Sequence, residues 1–240
     1  MSESVFHFKQ FTINQERCAM KVGTDSVLFG AWVDTNNSKH LLDIGTGTGI
    51  LALMMAQKCN AIIDAIELDE AACLQAKENI EQSIWAQRIN VIHTSLQNFC
   101  LNNQTLYDLI IANPPYFVDA HKASGAARNI ARHMNETLSI NDLLQGVNTM
   151  LNNDGRFCVI LPYKEGLLFY QQAVKSNLFC SRITRVKTKA DKPAKRLMMA
   201  FTKNMLPINE DEIIILDKNN HFTKAYMDVT NDFYLTHHTR

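Results

Sequence analysis

Four consecutive residues have the types and spacing to hold an amino group. Asn113, Pro114, Pro115 and Tyr116 follow directly on the apolar run "LIIA". The prolines fix their φ angles and have no N–H, and the residue before a proline is pushed to an extended conformation. The turn therefore offers carbonyl oxygens and the side-chain oxygen of Asn113, which suit the two hydrogens of one planar –NH2 group. Tyr116 adds an aromatic face on which a flat base can stack.

A glycine-rich turn earlier in the chain has the composition of a cofactor loop. In "DIGTGTG" (43–49), Gly45, Gly47 and Gly49 let the backbone turn tightly and approach a ligand closely. Ile50 stands where a dinucleotide fingerprint needs glycine, and no GK[ST] phosphate loop is present. Glu67 ends the next predicted strand, where a carboxylate accepts hydrogen bonds from ribose hydroxyls. A ribose site without a phosphate site predicts an adenosine ligand that lacks phosphates, and S-adenosylmethionine (AdoMet) fits.

Together the two turns predict methylation of a weakly nucleophilic amine. The lone pair of an exocyclic adenine amine is delocalised into the ring, and two acceptors that hold its hydrogens favour a more tetrahedral nitrogen. The lone pair can then point at a sulfonium methyl, and binding supplies proximity and orientation for an in-line transfer. No strong general base is needed, because the proton can leave after the methyl arrives. The target base must be unpaired or flipped out of its stack to reach such a turn.

Alternating strands and helices must position these turns. The apolar patterns predict strands at 40–45, 61–68, 89–94, 107–112, 155–162, 179–187 and 196–203. Helices are predicted at 49–58, 69–83, 139–154 and near 165–176. This alternation predicts an α/β protein with a mostly parallel sheet covered by helices on both faces. Because ligands bind beyond the carboxyl ends of such strands, we expect the two turns to be neighbours where the strand order reverses.

Composition narrows the class of protein further. The 240 residues carry 24 basic and 24 acidic side chains, so a nucleic-acid partner would be held by a local patch. The six cysteines form no CxxC pair, which indicates a reduced, cytoplasmic chain without a metal site. No apolar run approaches membrane-spanning length, so we expect no membrane partner. In the segment 204–240, "EIIILD" is compatible with an edge strand and "NDFYL" with a tail packed on the domain.

The motifs carry a family resemblance. In this order and spacing, "DIGTGTG", "IELD" and "NPPY" resemble the amino-methylating class I AdoMet-dependent methyltransferases. With "MKVGTDSVLFGAW" (20–32), "GRFCVILP" and the closing "DFYL", nearly the whole chain is similar to the bacterial tRNA1(Val) adenine-37 N6-methyltransferase family. The resemblance implies a Rossmann-like seven-stranded sheet of order 3-2-1-4-5-7-6 with strand 7 antiparallel. It also implies tRNA as the partner and N6-methyladenosine as the product.

We expect one domain over residues 1–240 and a monomer. Residues 1–39 would form a cofactor-closing element, 40–203 the core sheet and 204–240 a C-terminal extension. The resemblance implies that Asn113, Pro114, Pro115 and Tyr116 hold the target amine. It implies cofactor contacts for Lys21, Thr24, Asp25, Asp43, Gly45, Gly47, Gly49, Glu67, Leu68, Ser95 and Leu96.

Within that set, the resemblance assigns each part of the cofactor. Asp43 and the glycines would surround the methionine part, Glu67 would hold the ribose, and Leu68 would lie against the adenine. Ser95 departs from the family pattern, which usually has an acidic residue there to meet the adenine amino group. A hydroxyl or a backbone carbonyl would have to accept that hydrogen bond instead.

Two basic segments could contact RNA phosphates on either side of the target base. The first follows the NPPY turn and contains Lys122, Arg128 and Arg132. The second lies around the last two predicted core strands and contains Arg185, Lys187, Lys192, Lys195 and Arg196. The alternative is a solvated basic face balanced by "NEDE" (209–212).

Other functions stay open at this point. The same acceptor turn could methylate a protein glutamine amide, or an adenine in ribosomal RNA or DNA. Enzymes of those kinds commonly carry an additional recognition domain, for which this chain has little room. A non-catalytic AdoMet- or RNA-binding module is a third possibility, although such a module has no need of an amine-orienting turn. Turnover of AdoMet would separate the last reading from the others.

Overall fold

The computed structural model describes residues 4–18, 20–114 and 138–236. Its strands are β1 (Val5–His7), β2 (Thr12–Asn14), β3 (His40–Ile44), β4 (Ile62–Glu67), β5 (Ile89–His93), β6 (Tyr107–Ala112), β7 (Leu151–Pro162), β8 (Phe179–Lys187), β9 (Ala194–Thr202) and β10 (Asn209–Ile214). Its α-helices are α1 (Thr24–Trp32), α2 (Ile50–Lys58), α3 (Glu70–Glu81), α4 (Leu96–Asn102), α5 (Ile140–Met150), α6 (Tyr163–Lys175) and α7 (Lys224–Thr230).

The central sheet has the order β10-β8-β9-β7-β6-β3-β4-β5. Strands β3 to β7 pair in parallel, and β9 runs antiparallel to both β7 and β8. Counted from β3, the seven core strands confirm the predicted order with an antiparallel seventh strand. The predicted count of seven is too low, because β10 pairs in parallel with β8 and extends the sheet to eight strands. Strands β1 and β2 form a separate antiparallel hairpin.

Alternate residues of the strands build two hydrophobic cores, one on each face of the sheet. Leu109 and Ile111 of β6 point into one core, and Ile110 and Ala112 point into the other. The first core also takes side chains from α1, α2, α3 and α7, and the second takes them from α4, α5 and α6. Burial on both faces explains why the central strands are nearly continuous apolar runs.

One predicted boundary is wrong, and several elements were not predicted. The helix expected at 139–154 begins with a Ser139 capping box but ends at Met150, where β7 starts. Residues 151–154 are drawn into the strand because Leu151 pairs with Tyr107 of β6, across a register irregularity. Helices α1, α4 and α7 and the β1–β2 hairpin carry weaker local signals and were not predicted as such.

The two terminal segments pack together on the first core. Phe8 bridges to Tyr234, and the Lys9 N–H donates to the Phe233 carbonyl at 2.9 Å. Phe233 itself is buried, which confirms that "NDFYL" packs back on the fold. Among the described residues, no helix is both long and apolar enough to cross a bilayer.

Candidate active site

A cavity of about 440 Å³ opens at the carboxyl edge of the sheet, where β3 and β6 lie side by side. Its walls are the turn after β3, the residues after β6, the first turn of α1 and the end of β7. The predicted site residues that line it are Lys21, Thr24, Asp25, Gly45, Gly47, Asn113, Pro114 and Arg196. The strand order therefore brings both turns to one concave site at the point where it reverses, as expected for an open α/β sheet.

The glycine turn uses positive φ angles at each glycine. Gly45 has φ +72°, Gly47 +57° and Gly49 +83°, a region that residues with a side chain rarely adopt. A Cβ atom added at Gly45 or Gly47 would meet no atom within 4 Å, so both face open space. Gly49 instead packs against α3, where an added Cβ would lie 3.5 Å from Ala76. The first two glycines thus shape the cavity wall, and the third seats the start of α2.

Asp43 lies fully buried beneath this turn. Its Oδ2 accepts a hydrogen bond of 2.6 Å from the Thr46 hydroxyl, while Oδ1 has no hydrogen-bond partner in the part of the chain that the structure describes. Burial, assisted by the nearby negative charge of Glu67, raises the pKa of Asp43 to about 7. Asp43 therefore supports the glycine turn from beneath through Thr46 and leaves one buried carboxyl oxygen unpaired there.

Glu67 at the end of β4 ties the glycine turn to the next strand. Its Oε2 accepts from the Gly47 N–H at 2.8 Å, and its Oε1 accepts from the N–H groups of Leu68 and Asp69 at 2.9 and 3.0 Å. These amides hold the carboxylate in one orientation beside the loop. A ribose diol could bind there by exchanging hydrogen bonds with a carboxylate that is already positioned.

The predicted adenine contacts lie beside the cavity rather than in its wall. Leu68 is 44% exposed, and its carbonyl lies 2.9 Å from His93 Nε2 at the end of β5. The Ser95 hydroxyl caps α4 by accepting from the Asn98 N–H at 3.2 Å. Leu96 is buried in the second core. Ser95 and Leu96 thus form the start of α4 next to the end of β5, and the Ser95 hydroxyl is already engaged as the helix cap.

Asn113 projects from the end of β6 into the cavity wall and touches a residue that sequence reasoning missed. Its Nδ2 donates to Ser26 Oγ of α1 at 3.1 Å. Pro114 is buried beside it. Pro115, Tyr116, Lys122, Arg128 and Arg132 lie outside the described residues.

A second contact between α1 and the sheet joins two residues that had been assigned different roles. Arg196 of β9 donates from Nε to Asp25 Oδ2 at 2.8 Å, and both residues line the cavity. Arg196 is brought there because it pairs with Pro162 at the carboxyl end of β7. The residue predicted to contact RNA is thus part of the same cavity wall as the cofactor-closing element.

The other predicted RNA contacts fall into two groups. Arg185 and Lys187 of β8 form ion pairs with Glu210 and Glu212 of the neighbouring β10, at 2.7 and 2.9 Å. Lys192 and Lys195 lie exposed in and after the turn between β8 and β9, at the same edge of the sheet as Asn113. Asp191 lies 3.5 Å from Lys192, with both side chains more than half exposed, so solvent screens this contact. The basic charge of β8 is locally compensated, whereas that of the turn faces solvent.

Asn79 of α3 was also missed. Its side chain accepts from the Asn14 N–H at 2.9 Å and donates to the carbonyls of Asn14 and Thr48 at 2.8 and 2.9 Å. This buried amide fastens β2 to the glycine turn. The only sequence signal was a polar residue on the apolar face of α3, which is weak because many such residues are solvated.

The fold and this site together define a class I AdoMet-dependent methyltransferase. A family model described as "Methyltransferase small domain" matches residues 18–161. The chain is 43% identical, over 98% of its length and 99% of the relative's, to the tRNA1(Val) (adenine(37)-N6)-methyltransferase of Trichodesmium erythraeum. It is 42% identical to the enzyme of that name from Bacteroides fragilis, over 98% of the chain and 99% of the relative. This chain belongs to the tRNA1(Val) (adenine(37)-N6)-methyltransferase family.

Solved structures support the fold assignment. A predicted O-methyltransferase from Agrobacterium tumefaciens superimposes with a TM-score of 0.65 at 15% identity, over 87% of this chain and 96% of that one. At this identity the likeness shows the fold alone. Within the described ranges, no group of three or more His, Cys, Asp or Glu side chains is arranged to hold a metal ion.

Proposed function

We propose that this protein transfers the methyl group of AdoMet to N6 of an adenosine in tRNA, adenine 37 of tRNA1(Val). The observation that carries the proposal is the position of Asn113, beside the glycine turn, in a chain 43% identical over nearly its full length to an enzyme of that name. The geometry supports an amine acceptor, and the family supplies the identity of the nucleic acid.

The described residues fit AdoMet as the methyl donor. The incompletely satisfied Asp43 carboxylate and the open faces of Gly45 and Gly47 suit the methionine part, and Glu67 suits the ribose hydroxyls. We assign the adenine side to Leu68, Ser95 and Leu96, with Lys21, Thr24 and Asp25 closing the cavity from α1 and the residues before it. Bound AdoMet supplies an electrophilic methyl group, and the protein's part is to orient the acceptor toward it.

Asn113 and the prolines that follow it would orient the acceptor amine toward the methyl donor. The Asn113 Oδ1 and the Pro114 carbonyl would accept the two hydrogens of the target amine, since neither proline has an N–H to compete. Holding both hydrogens leaves the nitrogen lone pair directed at the methyl donor, so most of the rate enhancement comes from orientation. Tyr116 would stack on the extruded base, and the amine's proton would leave to water once the new N–C bond has formed.

The RNA would approach along the carboxyl edge of the sheet. Lys192 and Lys195 flank that edge with exposed charge, and Arg196 stands in the cavity mouth. We assign phosphate contacts to these three residues and to Lys122, Arg128 and Arg132. Arg185, Lys187 and Arg196 would contribute less than the lysines of the turn, because ion pairs with Glu210, Glu212 and Asp25 already offset their charge. We further propose that a single-domain monomer acts in the cytoplasm.

Labelled AdoMet, total bacterial tRNA and nucleoside mass analysis test the proposal. The wild type should form N6-methyladenosine in one tRNA at one position. Asn113→Ala should lower kcat by about 100-fold or more while AdoMet still binds, because orientation effects in near-attack geometry are of this size. Asn219→Ala, which alters an exposed side chain of the turn after β10, is the matched control and should keep full activity.

Three results would contradict the proposal in different ways. If the label appears on a protein glutamine, the proposed methyl-transfer chemistry stands and the proposed tRNA substrate is wrong. If the label appears on an adenine of ribosomal RNA or DNA, the proposed target base stands and the proposed nucleic acid is wrong. AdoMet binding without transfer to any acceptor would make the chain a binding module.

A further inference from the structure

Ser26 is the residue through which α1 reaches the reacting end of the cavity. Its Oγ accepts a hydrogen bond of 3.1 Å from Asn113 Nδ2, although the two residues are 87 positions apart in the chain. Both side chains are partly buried and line the same cavity. Because the amide of Asn113 is planar, fixing Nδ2 toward Ser26 turns Oδ1 to the opposite side.

The helix that carries Ser26 is held rigidly. Gly30 of α1 packs so closely on α2 that an added Cβ would lie 2.5 Å from Met54 Sδ. Lys58 Nζ donates to the carbonyls of Gly30, Ala31 and Val33, which satisfies the end of the helix. The Trp32 indole donates to Thr184 Oγ1 at 2.8 Å. The backbone from which the Ser26 side chain reaches Asn113 is therefore set by contacts that do not involve Asn113.

Asn113 is equally constrained, since it directly follows β6, a strand buried between β3 and β7. The side-chain amide of Asn113 can still flip, which exchanges the positions of Oδ1 and Nδ2 and leaves the shape of the side chain almost unchanged. If Nδ2 faced outward, its N–H groups would meet the N–H groups of the substrate amine, and no hydrogen bond would form between them. With Nδ2 paired to Ser26, the oxygen is the group left to accept, and the hydrogen bond polarises the amide so that this oxygen accepts more strongly.

We infer that Ser26 is a positioning residue that anchors the Asn113 amide in the orientation seen here, in which Nδ2 is engaged and the oxygen is left to accept the substrate amine. This inference rests on the proposed function, because it concerns the same acceptor. It differs from the proposed cofactor role of Thr24 and Asp25, the two residues just before it, because Ser26 acts on the acceptor end of the reaction.

A double-mutant cycle tests the inference. Ser26→Ala should lower kcat by about 3- to 10-fold, the size expected for one hydrogen bond, with the AdoMet dissociation constant within about twofold of wild type. Ser26→Thr keeps the hydroxyl and should recover most of the rate. In an Asn113→Asp background the acceptor is symmetric, so Ser26→Ala should change kcat by less than about twofold.

A second readout does not depend on catalysis. The side-chain amide signals of Asn113 in an ¹⁵N spectrum, assigned by their loss in Asn113→Asp, should shift in Ser26→Ala and hold in Ser26→Thr. This readout decides the matter if Asn113→Asp is inactive, or if the wild type methylates no tRNA and the proposed function fails. Equal kcat in Ser26→Ala and wild type, equal losses in both Asn113 backgrounds, or unchanged amide signals would each overturn the inference.

Discussion

The Gly47 backbone N–H donates to Glu67 Oε2 at 2.8 Å, so the turn after β3 and the end of β4 are joined beside the cavity. The same carboxylate accepts two further amides through Oε1. Glu67 is therefore held by three backbone donors of the protein itself. A side chain fixed in this way loses little conformational entropy when a ligand binds.

Removing the Glu67 carboxylate should weaken AdoMet binding more than it weakens folding. Glu67→Ala should raise the dissociation constant of AdoMet, or of its demethylated product, by about tenfold or more, since hydrogen bonds to a charged group contribute roughly 1.5–3 kcal/mol each. Calorimetric titration measures this. The control is Glu70→Gln, an exposed residue in the first turn of α3, which should leave the affinity unchanged. An unaltered affinity in Glu67→Ala would remove Glu67 from the site.

The buried Asp43 should make stability depend on pH. Its folded-state pKa of about 7 lies above the ordinary value of 3.8, so between these values the folded state holds a proton that the unfolded state releases. Its contribution is therefore complete below about pH 4 and is lost as the pH rises through about 7, with a slope of up to about 1.4 kcal/mol per pH unit. Asp43→Asn should lack this component. Urea unfolding of both proteins between pH 5 and 8 tests it, and parallel profiles would contradict it.

The ion pairs along β10 predict which basic residues bind tRNA. Lys192→Ala combined with Lys195→Ala should lower tRNA affinity several-fold and reduce the slope of log K against log[salt] by about 2, about 1 for each lysine. Arg185→Ala and Lys187→Ala should have smaller effects, because Glu210 and Glu212 compensate these charges. Filter binding at several salt concentrations measures the tRNA affinity and its salt dependence for each variant.

Removing the negative charges of β10 tests the same prediction, that Glu210 and Glu212 compensate the basic residues of β8. In Glu210→Gln combined with Glu212→Gln, Arg185 and Lys187 lose their partners, so tRNA affinity should rise. A fall in affinity would show that Glu210 and Glu212 do not offset the charges of Arg185 and Lys187 toward RNA. A larger loss from Arg185→Ala than from the Lys192 and Lys195 pair would show that RNA lies on β8 instead.

The close packing of α1 on α2 should make Gly30 sensitive to any side chain. An added Cβ would lie 2.5 Å from Met54 Sδ and 3.2 Å from Leu51 Cδ2, and both neighbours are buried. Gly30→Ala should lower the free energy of unfolding by up to about 2 kcal/mol, because overpacking costs about 1–3 kcal/mol and the helix propensity of alanine returns about 1 kcal/mol. Gly23→Ser at the N-cap of α1, where the nearest atom to a Cβ is 3.9 Å away, should be neutral or slightly stabilising. Denaturant titration compares them, and equal stabilities would argue against tight packing there.

Local signals in the sequence were enough to predict the core strands and the two turns. Apolar runs such as Tyr107–Ala112 have few alternatives to a buried strand, and glycines at 45, 47 and 49 have few uses other than a tight turn. The family resemblance supplied the strand order, which neither pattern determines. Segments with mixed composition, such as α4 and the β1–β2 hairpin, depend on tertiary packing and were not predicted as elements.

Contacts between distant residues were beyond sequence reasoning. Asp25 and Arg196 are 171 positions apart, and each was assigned a role without any sign that they form an ion pair. The bond between Ser26 and Asn113 is of the same kind, because a serine in a helical turn has many possible partners. The acidic run 209–212 was considered as a counterweight to the basic segment, but only strand pairing shows that it lies alongside β8.

Strand β10 ends the sheet with its outer backbone groups unpaired by any other strand of the described sheet. Such a border is a template for adding a strand from a second molecule, and proteins commonly protect it with charge. Glu210, Asp211 and Glu212 are exposed along this border. Two copies that met edge to edge would bring these carboxylates together, so the strand that neutralises β8 within one molecule also discourages aggregation between molecules.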